Sequence, residues 1–591
     1  MGALQRLRSA ELRLRAMRSL LPHVHELHSR GRASAATLLE RNARGLARSD
    51  ALLFEDRRYT WAEVNEHANR WARLLLAAGV ARGDVVALVM DNRPEYVFTL
   101  LGASKIQAVV ACVNTHVSGA ALAHAIGLTK STLVVAGSEH EEAVDRVLVD
   151  VRRFGPPPRM IVHADEGCTP EREPVNERLE ELPAHDVGGP RPRAEEPMTY
   201  LYTSGTTGLP KAAIVTNQRF LLTAYGFGKV AHGAGPGDVI YVALPLYHGN
   251  AQWGGVGASL ATGAALALRR KFSASAFWKD AIRFRATRIM YIGELCRYLL
   301  NQPPSVDDTA HSVALAVGNG LRPDVWEPFQ TRFAIPRICE FYGATEGNAP
   351  VVNLEGRRGM LGRLGKRQEL LLCDPETGAA RRGPGGRCER IERPGETGLF
   401  VGRIGGTLKF DGYVDPEATN AKILRDVFRK GDAWFNSGDL MTLHEDRWVS
   451  FADRVGDTFR WKGENVSTSE VALLLNSAPG VLESNVFGVP VPGADGKAGM
   501  ACLVVGPEFD IAAFARHAEN ELPRYARPLF VRILRDMRVT STLKHQKGEY
   551  RSEGYDPDRT SDPLFASVGG RYLPLTRELY ARIRSGAVAP G

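Results

Sequence analysis

Residues 61–80 read WAEVNEHANRWARLLLAAGV, and residues 84–90 read DVVALVM. The first stretch has a helical pattern and the second is a short apolar strand, and this alternation continues along the chain. Runs of about four to eight strand-forming residues, separated by helical patterns, are typical of an α/β fold with substantial parallel sheet. We therefore expect a large α/β domain with more than one sheet.

The chain is 591 residues long, which exceeds what one hydrophobic core usually supports, so two or more domains are expected. Residues 373–398 are rich in Pro, Gly and Arg and precede LFVGRI, which predicts hairpins in a small β-rich subdomain. Charge rises and apolar content falls near Arg454 to Asp457. We therefore divide the chain into a segment of residues 1–30, a large domain of residues 31–455 and a small α+β domain of residues 456–591.

Composition excludes several classes of protein. The net charge of +8 suits polyanionic substrates, nucleic acid or an anionic bilayer, but no nucleic-acid-binding motif is found, so no nucleic acid is expected as a partner. The seven cysteines are scattered without a Cys-x-x-Cys pair, which argues against a disulfide framework and a zinc site and favours a reducing cytoplasm. No run of about 18 apolar residues and no signal peptide is found, which predicts neither a membrane span nor secretion.

The N-terminal stretch MGALQRLRSAELRLRAMRSLL, residues 1–21, combines five arginines with apolar residues at three- and four-residue steps. Such a basic amphipathic helix could lie on anionic lipid at the inner face of the cell membrane. It could equally be docked on its own domain with its arginines in water. The sequence also leaves a monomer and a homodimer both open.

Residues 202–211 read YTSGTTGLPK and contain almost nothing that builds a core. Short hydroxyl side chains and glycines let a backbone approach an anion, and Lys211 adds a positive charge, so the stretch predicts a phosphate cradle. A Walker A loop would end in Gly-Lys-Ser or Gly-Lys-Thr, whereas Pro210 precedes and Ala212 follows this lysine. A solvated turn is the alternative interpretation.

Five segments in order resemble the successive motifs of the adenylate-forming superfamily, which includes acyl-CoA synthetases, peptide-synthetase adenylation domains and luciferases. The segments are YTSGTTGLPK (202–211), LPLYHGN (244–250), FYGATEGN (341–348), SGDL (437–440) and DRVGDTFRWKGENV (453–466). The forms FYGATEGN, RRGPGGRCERI, DTFRWKGENVSTSEV and TSTLKHQKGEYRSEGYDP are similar to the fatty acid transport protein or very-long-chain acyl-CoA synthetase branch. The resemblance extends from about residue 50 onward.

This resemblance implies an ATP-dependent long- or very-long-chain fatty acyl-CoA synthetase. A fatty acid carboxylate attacks the α-phosphorus of ATP to give acyl-AMP and pyrophosphate, and the coenzyme A thiol then displaces AMP. ATP, Mg²⁺ and coenzyme A are the expected cofactor and substrates. The alternatives are an acyl-AMP ligase that loads a carrier protein, and a fatty-acid uptake or binding protein with a vestigial site.

The resemblance also assigns the ATP site. Tyr342 would stack on adenine beside Gly343 and the loop of Gly318, Thr345 would bind the α-phosphate, and Glu346 would hold Mg²⁺. Asp439 would accept from the ribose hydroxyls and Arg454 would donate to the ribose, although these two could simply cap a turn and cover apolar surface. The residues expected to wrap the β- and γ-phosphates are Thr203, Ser204, Gly205, Thr206, Thr207 and Gly208, with Lys211 nearby.

The remaining assignments concern the acyl chain and the second step. His248 and Trp253 lie in the stretch that in relatives separates the ATP site from the acyl pocket, with Gly249, Gly254 and Gly255 leaving room for an acyl chain, although a packed core role is equally open. Lys544 aligns with the adenylation lysine, with Lys547 as the competitor. The C-terminal domain would turn about Gly456, and Gly463 would then approach the pantetheine arm.

Overall fold

The structure is a computed structural model that describes residues 11–12, 14–16, 18–28, 31–188, 192–203, 209–375, 377–406, 409–462, 464–494, 496–540 and 546–591. The strands are β1 (Asp50–Phe54), β2 (Arg57–Thr60), β3 (Val85–Val89), β4 (Val109–Cys112), β5 (Leu133–Gly137), β6 (Arg159–His163), β7 (Pro197–Thr203), β8 (Lys211–Thr216), β9 (Val239–Val242), β10 (Ala265–Leu268), β11 (Arg288–Ile292), β12 (Leu315–Asn319), β13 (Arg337–Tyr342), β14 (Val351–Asn353), β15 (Gly362–Arg363), β16 (Gln368–Leu371), β17 (Thr397–Arg403), β18 (Ile423–Arg425), β19 (Ala433–Leu443), β20 (Trp448–Arg454), β21 (Phe459–Trp461), β22 (Glu464–Val466), β23 (Val481–Pro490), β24 (Lys497–Val505), β25 (Phe530–Leu534), β26 (Leu564–Val568) and β27 (Arg571–Pro574).

Helices alternate with these strands. The α-helices span Ala35–Gly45, Trp61–Ala77, Pro94–Ile106, Gly119–Leu128, Glu141–Val151, Asn176–Glu181, Asn217–Tyr225, Gly249–Ala251, Ala258–Thr262, Phe277–Arg283, Gly293–Leu300, Pro323–Arg332, Pro416–Ala421, Thr468–Leu475, Ile511–Glu521, Gly548–Glu553 and Arg577–Arg584, and π-helices span Gly226–His232 and Gln252–Gly257. Within the predicted N-terminal helix, residues 11–12, 14–16 and 18–20 are helical. No described helix combines the length and the apolar character that crossing a bilayer requires.

The chain divides into two compact units. Unit 1 comprises Met1–Leu321, Pro328–Arg357 and Ile404–Ile423. Unit 2 comprises Arg322–Glu327, Arg358–Arg403 and Leu424–Gly591. The sequence-based boundary at residues 455 and 456 remains a prediction.

Unit 1 contains two mainly parallel sheets. The six-stranded sheet has the order β6-β5-β3-β4-β7-β8 and is parallel except for β8. The eight-stranded sheet has the order β14-β13-β12-β11-β9-β10-β1-β2, with antiparallel strands at its two edges. The register of its centre aligns Met290 with Val317 and Val317 with Cys339. The predicted α/β fold is confirmed.

The stretch that predicted this fold forms the expected elements. The helix Trp61–Ala77 begins at a capping box in which Thr60 and Glu63 exchange side-chain and backbone hydrogen bonds. Trp71 on this helix is buried, as is every residue of β3. A strand buried throughout is expected in a parallel sheet that is covered on both faces.

Unit 2 contains antiparallel and mixed sheets. The order β15-β20-β19-β17-β16, with β18 paired to β19, forms one sheet, and β23-β24-β25-β26-β27 forms another. A hydrophobic core that includes Phe487, Leu503 and Phe530 is built from residues between Phe459 and Ile583. The 373–398 stretch contains isolated bridges between Cys373 and Ala380 and between Arg382 and Cys388.

Candidate active site

The loop that follows β13 carries Thr345 and Glu346, and one arginine holds its backbone. Nη2 of Arg219 donates to the carbonyl oxygens of Ala344 at 3.3 Å, Thr345 at 2.6 Å and Gly347. Nη1 donates to the carbonyl oxygen of Glu346 at 3.3 Å. A single guanidinium therefore fixes four successive peptide units.

The Glu346 carboxylate is buried beside an aromatic hydroxyl and an ammonium group. Its Oε1 lies 4.0 Å from Nζ of Lys422, and the Tyr413 hydroxyl donates to it. Burial raises the pKa of Tyr413, and the nearby Glu346 charge raises it further. The Tyr413 hydroxyl is also hydrogen-bonded to the side chain of Thr203. Nζ of Lys211 lies 6.0 Å from the centre of the Tyr413 ring. The carboxylate therefore lies close to both ends of the predicted phosphate loop.

The predicted phosphate loop joins β7 to β8. Thr203 ends one strand, Lys211 begins the next, and the two are cross-strand partners. β7 and β8 therefore pair as two antiparallel strands, and Thr203 lies at the carboxyl end of a strand in a parallel sheet. This is where open α/β sheets place their ligands. The predicted residues Ser204, Gly205, Thr206, Thr207 and Gly208 lie outside the described residues.

The predicted adenine loop is held by a buried carboxyl group. A Cβ added to Gly318 would lie 2.2 Å from the carbonyl oxygen of Tyr291, so only glycine fits there. Glu340 is 2% exposed, and its Oε1 accepts from the backbone N–H of Gly320 and, at 3.1 Å, of Leu321. The Tyr291 hydroxyl donates to its Oε2 at 2.5 Å. Burial raises the pKa of Glu340 to about 8.

Two of the four residues between Glu340 and Thr345 belong to the predicted adenine site and are at least partly accessible. Tyr342 is partly buried at the end of β13, and Gly343 after it is exposed. Nothing lies within 4 Å of a Cβ added to Gly343, so sterics alone do not require a glycine at this position. The edge of the adenine site predicted here is therefore open to a ligand.

Trp253 lies in the π-helix Gln252–Gly257 and is 8% exposed. The guanidinium carbon of Arg219 lies 5.8 Å from the centre of its ring. His248 is partly buried, and its ring centre lies 4.8 Å from that of Tyr247. His248 and Trp253, from the stretch expected to separate the ATP site from the acyl pocket, are therefore partly buried and buried within unit 1.

Side chains pack closely against the glycines around Trp253. The Trp253 ring takes the space beside Gly249, where an added Cβ would come within 3.0 Å of it. Met290 fills the space beside Gly254, and Val242 fills the space beside Gly255. Neighbouring side chains therefore pack into the space that these glycines create, and the expectation that the glycines leave room for an acyl chain stays a prediction.

Two predicted ribose-binding residues lie in unit 2. Asp439 and Arg454 are cross-strand partners on β19 and β20, and Nε of Arg454 lies 3.5 Å from Oδ1 of Asp439. The Asp439 carboxylate is mostly buried, whereas more than half of the Arg454 side chain is exposed. The backbone N–H of Asp439 donates to the Ser437 hydroxyl at 3.0 Å. The pair is thus held on rigid strands with its guanidinium accessible to a ligand.

The predicted hinge follows β20. Gly456 has a φ of +81°, a conformation that favours glycine. The next residue, Asp457, accepts from Arg551 at 2.7 Å and lies 3.2 Å from Nζ of Lys547. Lys547 also donates to the Thr468 hydroxyl at 2.7 Å. Although burial opposes the effect, these cations lower the pKa of Asp457.

Two predicted residues, Gly463 and Lys544, lie outside the described residues. Our interpretation of the sequence missed four residues that lie at the site: Arg219, Tyr413, Lys422 and Asn250. The side-chain amide of Asn250 donates to Oδ1 of Asn319 at 2.6 Å. Asn250 lies within the quoted motif LPLYHGN and Asn319 follows Gly318 of the predicted adenine loop, so both positions gave a usable signal. Arg219 carries no local signal, because its partners lie 125 to 128 residues later in the chain.

The chain is similar to known proteins over most of its length. The family described as AMP-binding enzyme matches residues 39–396. The chain is 39% identical over 560 residues to the medium/long-chain-fatty-acid–CoA ligase FadD6 of Mycobacterium tuberculosis, covering 94% of this chain and 92% of that relative. It is 40% identical over 544 residues to the long-chain fatty acid transport protein 1 of Mus musculus, covering 89% and 83%.

Solved structures share the fold. An anthranilate CoA ligase, AuaEII, bound to anthranoyl-AMP gives a TM-score of 0.76 at 22% identity, covering 88% of this chain and 97% of that one. A fatty acyl CoA synthetase of Mycobacterium tuberculosis gives 0.63 at 22% identity, covering 88% and 98%. The solved structures confirm the fold, and the family match and the two relatives confirm that the chain belongs to the AMP-binding enzyme family, in the branch of the fatty acid transport proteins and fatty acid–CoA ligases.

Proposed function

We propose that this enzyme is an ATP-dependent fatty acid–CoA ligase acting on long- or very-long-chain acids. The observation that carries the proposal is the buried Glu346 carboxylate, held beside Tyr413 and next to the two ends of the phosphate loop. The near full-length similarity to a protein named as a medium/long-chain fatty acid–CoA ligase supports the acyl class.

The first half-reaction must bring a carboxylate against a triphosphate, and the two repel each other. In our proposal the phosphate loop and Lys211 bind the β- and γ-phosphates, and Thr345 donates its hydroxyl to the α-phosphate. Tyr342 and the Gly318 loop bind adenine, while Asp439 and Arg454 bind the ribose. These residues hold the attacking carboxylate oxygen and the departing pyrophosphate in line.

Glu346 fits the expected Mg²⁺. Mg²⁺ is usually bound by one or two carboxylates together with substrate phosphates, and a buried carboxylate beside a phosphate loop supplies such a ligand. The bound ion would neutralise charge on the triphosphate. Another acidic cluster, Asp91, Glu139 and His140, is a weaker candidate because Asp91 already bonds His140 at 2.9 Å and Lys271 at 3.1 Å.

The second half-reaction uses the C-terminal domain of residues 456–591. In our proposal Lys544 contacts the α-phosphate during adenylation, and the domain then turns about Gly456 so that Gly463 meets the pantetheine arm. The engagement of Lys547 by Asp457 and Thr468 supports Lys544 over Lys547 for the first role. His248 and Trp253 would line the path of the acyl chain.

We further propose a cytoplasmic enzyme with peripheral contact to anionic membrane through residues 1–21. Leu14 and Leu21 are 44% and 66% exposed, whereas His23 is stacked on Tyr225 at 4.3 Å. The segment is thus docked after residue 22 and presents leucines before it. Deleting residues 1–21 should abolish sedimentation with anionic vesicles and leave turnover of soluble acids unchanged; equal sedimentation of the truncated and intact proteins would refute this contact.

An acid panel tests the function. Purified enzyme with ATP, Mg²⁺ and coenzyme A should form acyl-CoA and pyrophosphate with long- and very-long-chain acids. The rate of pyrophosphate release should be about 100-fold lower in Glu346→Gln. Acyl-AMP that accumulates without acyl-CoA would instead favour a carrier-loading ligase. Acid binding without any pyrophosphate release would favour an uptake or binding protein.

A further inference from the structure

Arg219 has an unusual set of partners for a largely buried cation. The four hydrogen bonds that its two terminal nitrogens donate all end on backbone carbonyl oxygens of residues 344–347. Within the described part of the chain, no carboxylate lies within ion-pair distance of its guanidinium. Burial lowers the pKa of this guanidinium, and the more distant carboxylates of Asp411 and Glu346 oppose that effect.

Such an arrangement is suited to fixing backbone. Leaving a buried charge without a partner is costly, so the carbonyl oxygens and the guanidinium hold each other strongly. A guanidinium presents its donors in a rigid planar fork, whereas a lysine ammonium is a compact charge on a flexible stem. Lysine at this position would therefore keep the charge but lose the simultaneous contact with four peptide units.

The same guanidinium also contacts the acyl side of the site. It lies 5.8 Å from the centre of the Trp253 ring, within the range of a cation–π interaction. Trp253 in turn packs against Gly249, the residue that follows His248. An acyl chain that displaces the Trp253 ring would therefore change the surroundings of the side chain that holds Thr345 and Glu346.

We propose that Arg219 is a positioning residue that fixes Thr345 and Glu346 for adenylation and couples their position to the acyl pocket through Trp253. This proposal rests on the proposed function, because it assigns the loop of residues 344–347 to ATP and Trp253 to the acyl chain. Arg219 itself donates to backbone, so its effect on the reaction passes through Thr345 and Glu346.

The first test compares Arg219→Gln and Arg219→Lys with the wild type. We expect the rate of acid-dependent pyrophosphate release to fall about 10- to 100-fold in both variants, with a raised requirement for Mg²⁺ and an unchanged KM for coenzyme A. Arg73→Gln is the matched control, since Arg73 also donates to three carbonyl oxygens, those of Pro183, His185 and Asp186, in a surface loop. It should leave all three quantities unchanged.

Arg219→Lys keeps the experiment decisive if Arg219→Gln does not fold. A lysine variant with wild-type rate and Mg²⁺ requirement would overturn the proposal, because charge alone would then suffice. Equal losses in Arg219→Gln and the Arg73→Gln control would overturn it too, since they would indicate a general effect of losing a loop-binding arginine.

The coupling has its own test. Trp253→Leu should raise the KM for fatty acid and also raise the Mg²⁺ requirement by about threefold or more, and this second effect should vanish when Arg219 is already Gln. Independent, multiplicative effects of the two substitutions on the Mg²⁺ requirement would overturn the coupling.

Binding of Mg·ATP separates this proposal from the proposed function. If the wild type releases no pyrophosphate with any acid, the proposed function fails. Calorimetry of Mg·ATP binding without acid then decides the positioning role: about tenfold weaker binding by Arg219→Gln supports it, and unchanged binding overturns it.

Discussion

The loop of residues 344–347 in unit 1 is held by side-chain hydrogen bonds to four successive carbonyl oxygens, whereas the turn of residues 455–457 in unit 2 is held by the Asp457 carboxylate and by two backbone hydrogen bonds, from Val455 to Gly438 and from Asp457 to Arg454. Arg219 bonds four consecutive peptide units of the first. In the second, Lys547 and Arg551 bind the Asp457 side chain, and Gly456 before it keeps a φ of +81°.

This difference supports the proposed roles of the two regions, a fixed binding loop at residues 344–347 and a hinge at Gly456. Backbone that is bonded at every peptide unit cannot change its dihedral angles without breaking several charge-assisted bonds. A glycine next to a clamped residue keeps its φ and ψ free to change, and such positions at the ends of elements often serve as hinges. Substitutions in the two regions should therefore affect different steps, with residues 344–347 serving adenylation and Gly456 serving the change between the two half-reactions.

Lys544→Ala should have the largest effect. We expect the rate of acyl-AMP formation to fall by about 100- to 1,000-fold, because a charge-assisted bond to the α-phosphate is lost. Supplied acyl-AMP should still be converted to acyl-CoA. Lys547→Ala is the control, and it should lose much less because Lys547 is engaged by Asp457. Full adenylation by Lys544→Ala with loss in Lys547→Ala would show that the alignment is wrong by three residues.

Gly456→Pro should separate the two half-reactions. Proline fixes φ near −65°, which excludes the conformation with φ of +81°. The rate of one half-reaction should fall by about 100-fold, while the rate of the other should change less than about threefold. Single-turnover pyrophosphate release measures the first half-reaction, and conversion of supplied acyl-AMP to acyl-CoA measures the second. Gly431→Pro, at a second glycine of unit 2 with a φ of +82°, should cost stability but leave the ratio of the two rates unchanged. Retention of both rates in Gly456→Pro would remove the hinge assignment.

Asp457→Asn should weaken the contacts that hold the residue next to the proposed hinge, Gly456. The free energy of unfolding should fall by roughly 1–3 kcal/mol at neutral pH, because two partly buried cations lose their carboxylate partner. The rate of acyl-CoA formation should fall a few-fold. The lowered pKa of Asp457 means that its contribution is present above its ordinary pKa and is lost as the pH falls toward the folded value. Asp558→Asn, which breaks an exposed pair with Arg577, should change little. Equal effects of the two substitutions would contradict this role of Asp457.

Glu340→Gln should give the smallest effect, and only in the pH profile. Because the pKa of Glu340 is raised to about 8, the folded chain keeps a proton between about pH 4.5 and 8 that the unfolded chain has lost. Its contribution to stability is therefore full below pH 4.5 and declines as the pH rises toward 8. The Gln variant should show a Tm less dependent on pH across this range, by about 2 °C or more, since its amide can keep the bonds to Tyr291 and Gly320. Parallel profiles of the two proteins would refute this.

Sequence reasoning worked best where chemistry is contiguous. The capping box at Thr60 and the buried strand β3 follow from local pattern, so the α/β fold could be predicted. Thr345 and Glu346 share one loop, and their joint placement follows from their spacing. The packing of Met290 beside Gly254 could not be predicted, because the pattern says that a glycine makes room but not which side chain takes it.

The sequence by itself determined the α/β architecture, the family and the loops that carry the predicted phosphate- and metal-binding groups, because each follows from local patterns and from the order of short motifs along the chain. Only the tertiary structure decided that Arg219 holds the loop of residues 344–347 and that Tyr413 and Lys422 surround Glu346. The physical reason is that these contacts join different layers of unit 1: Arg219 follows β8 of the six-stranded sheet, and the loop of residues 344–347 follows β13 of the eight-stranded sheet. Packing of the two sheets brings together segments that are far apart in the chain, and local spacing carries no record of that packing.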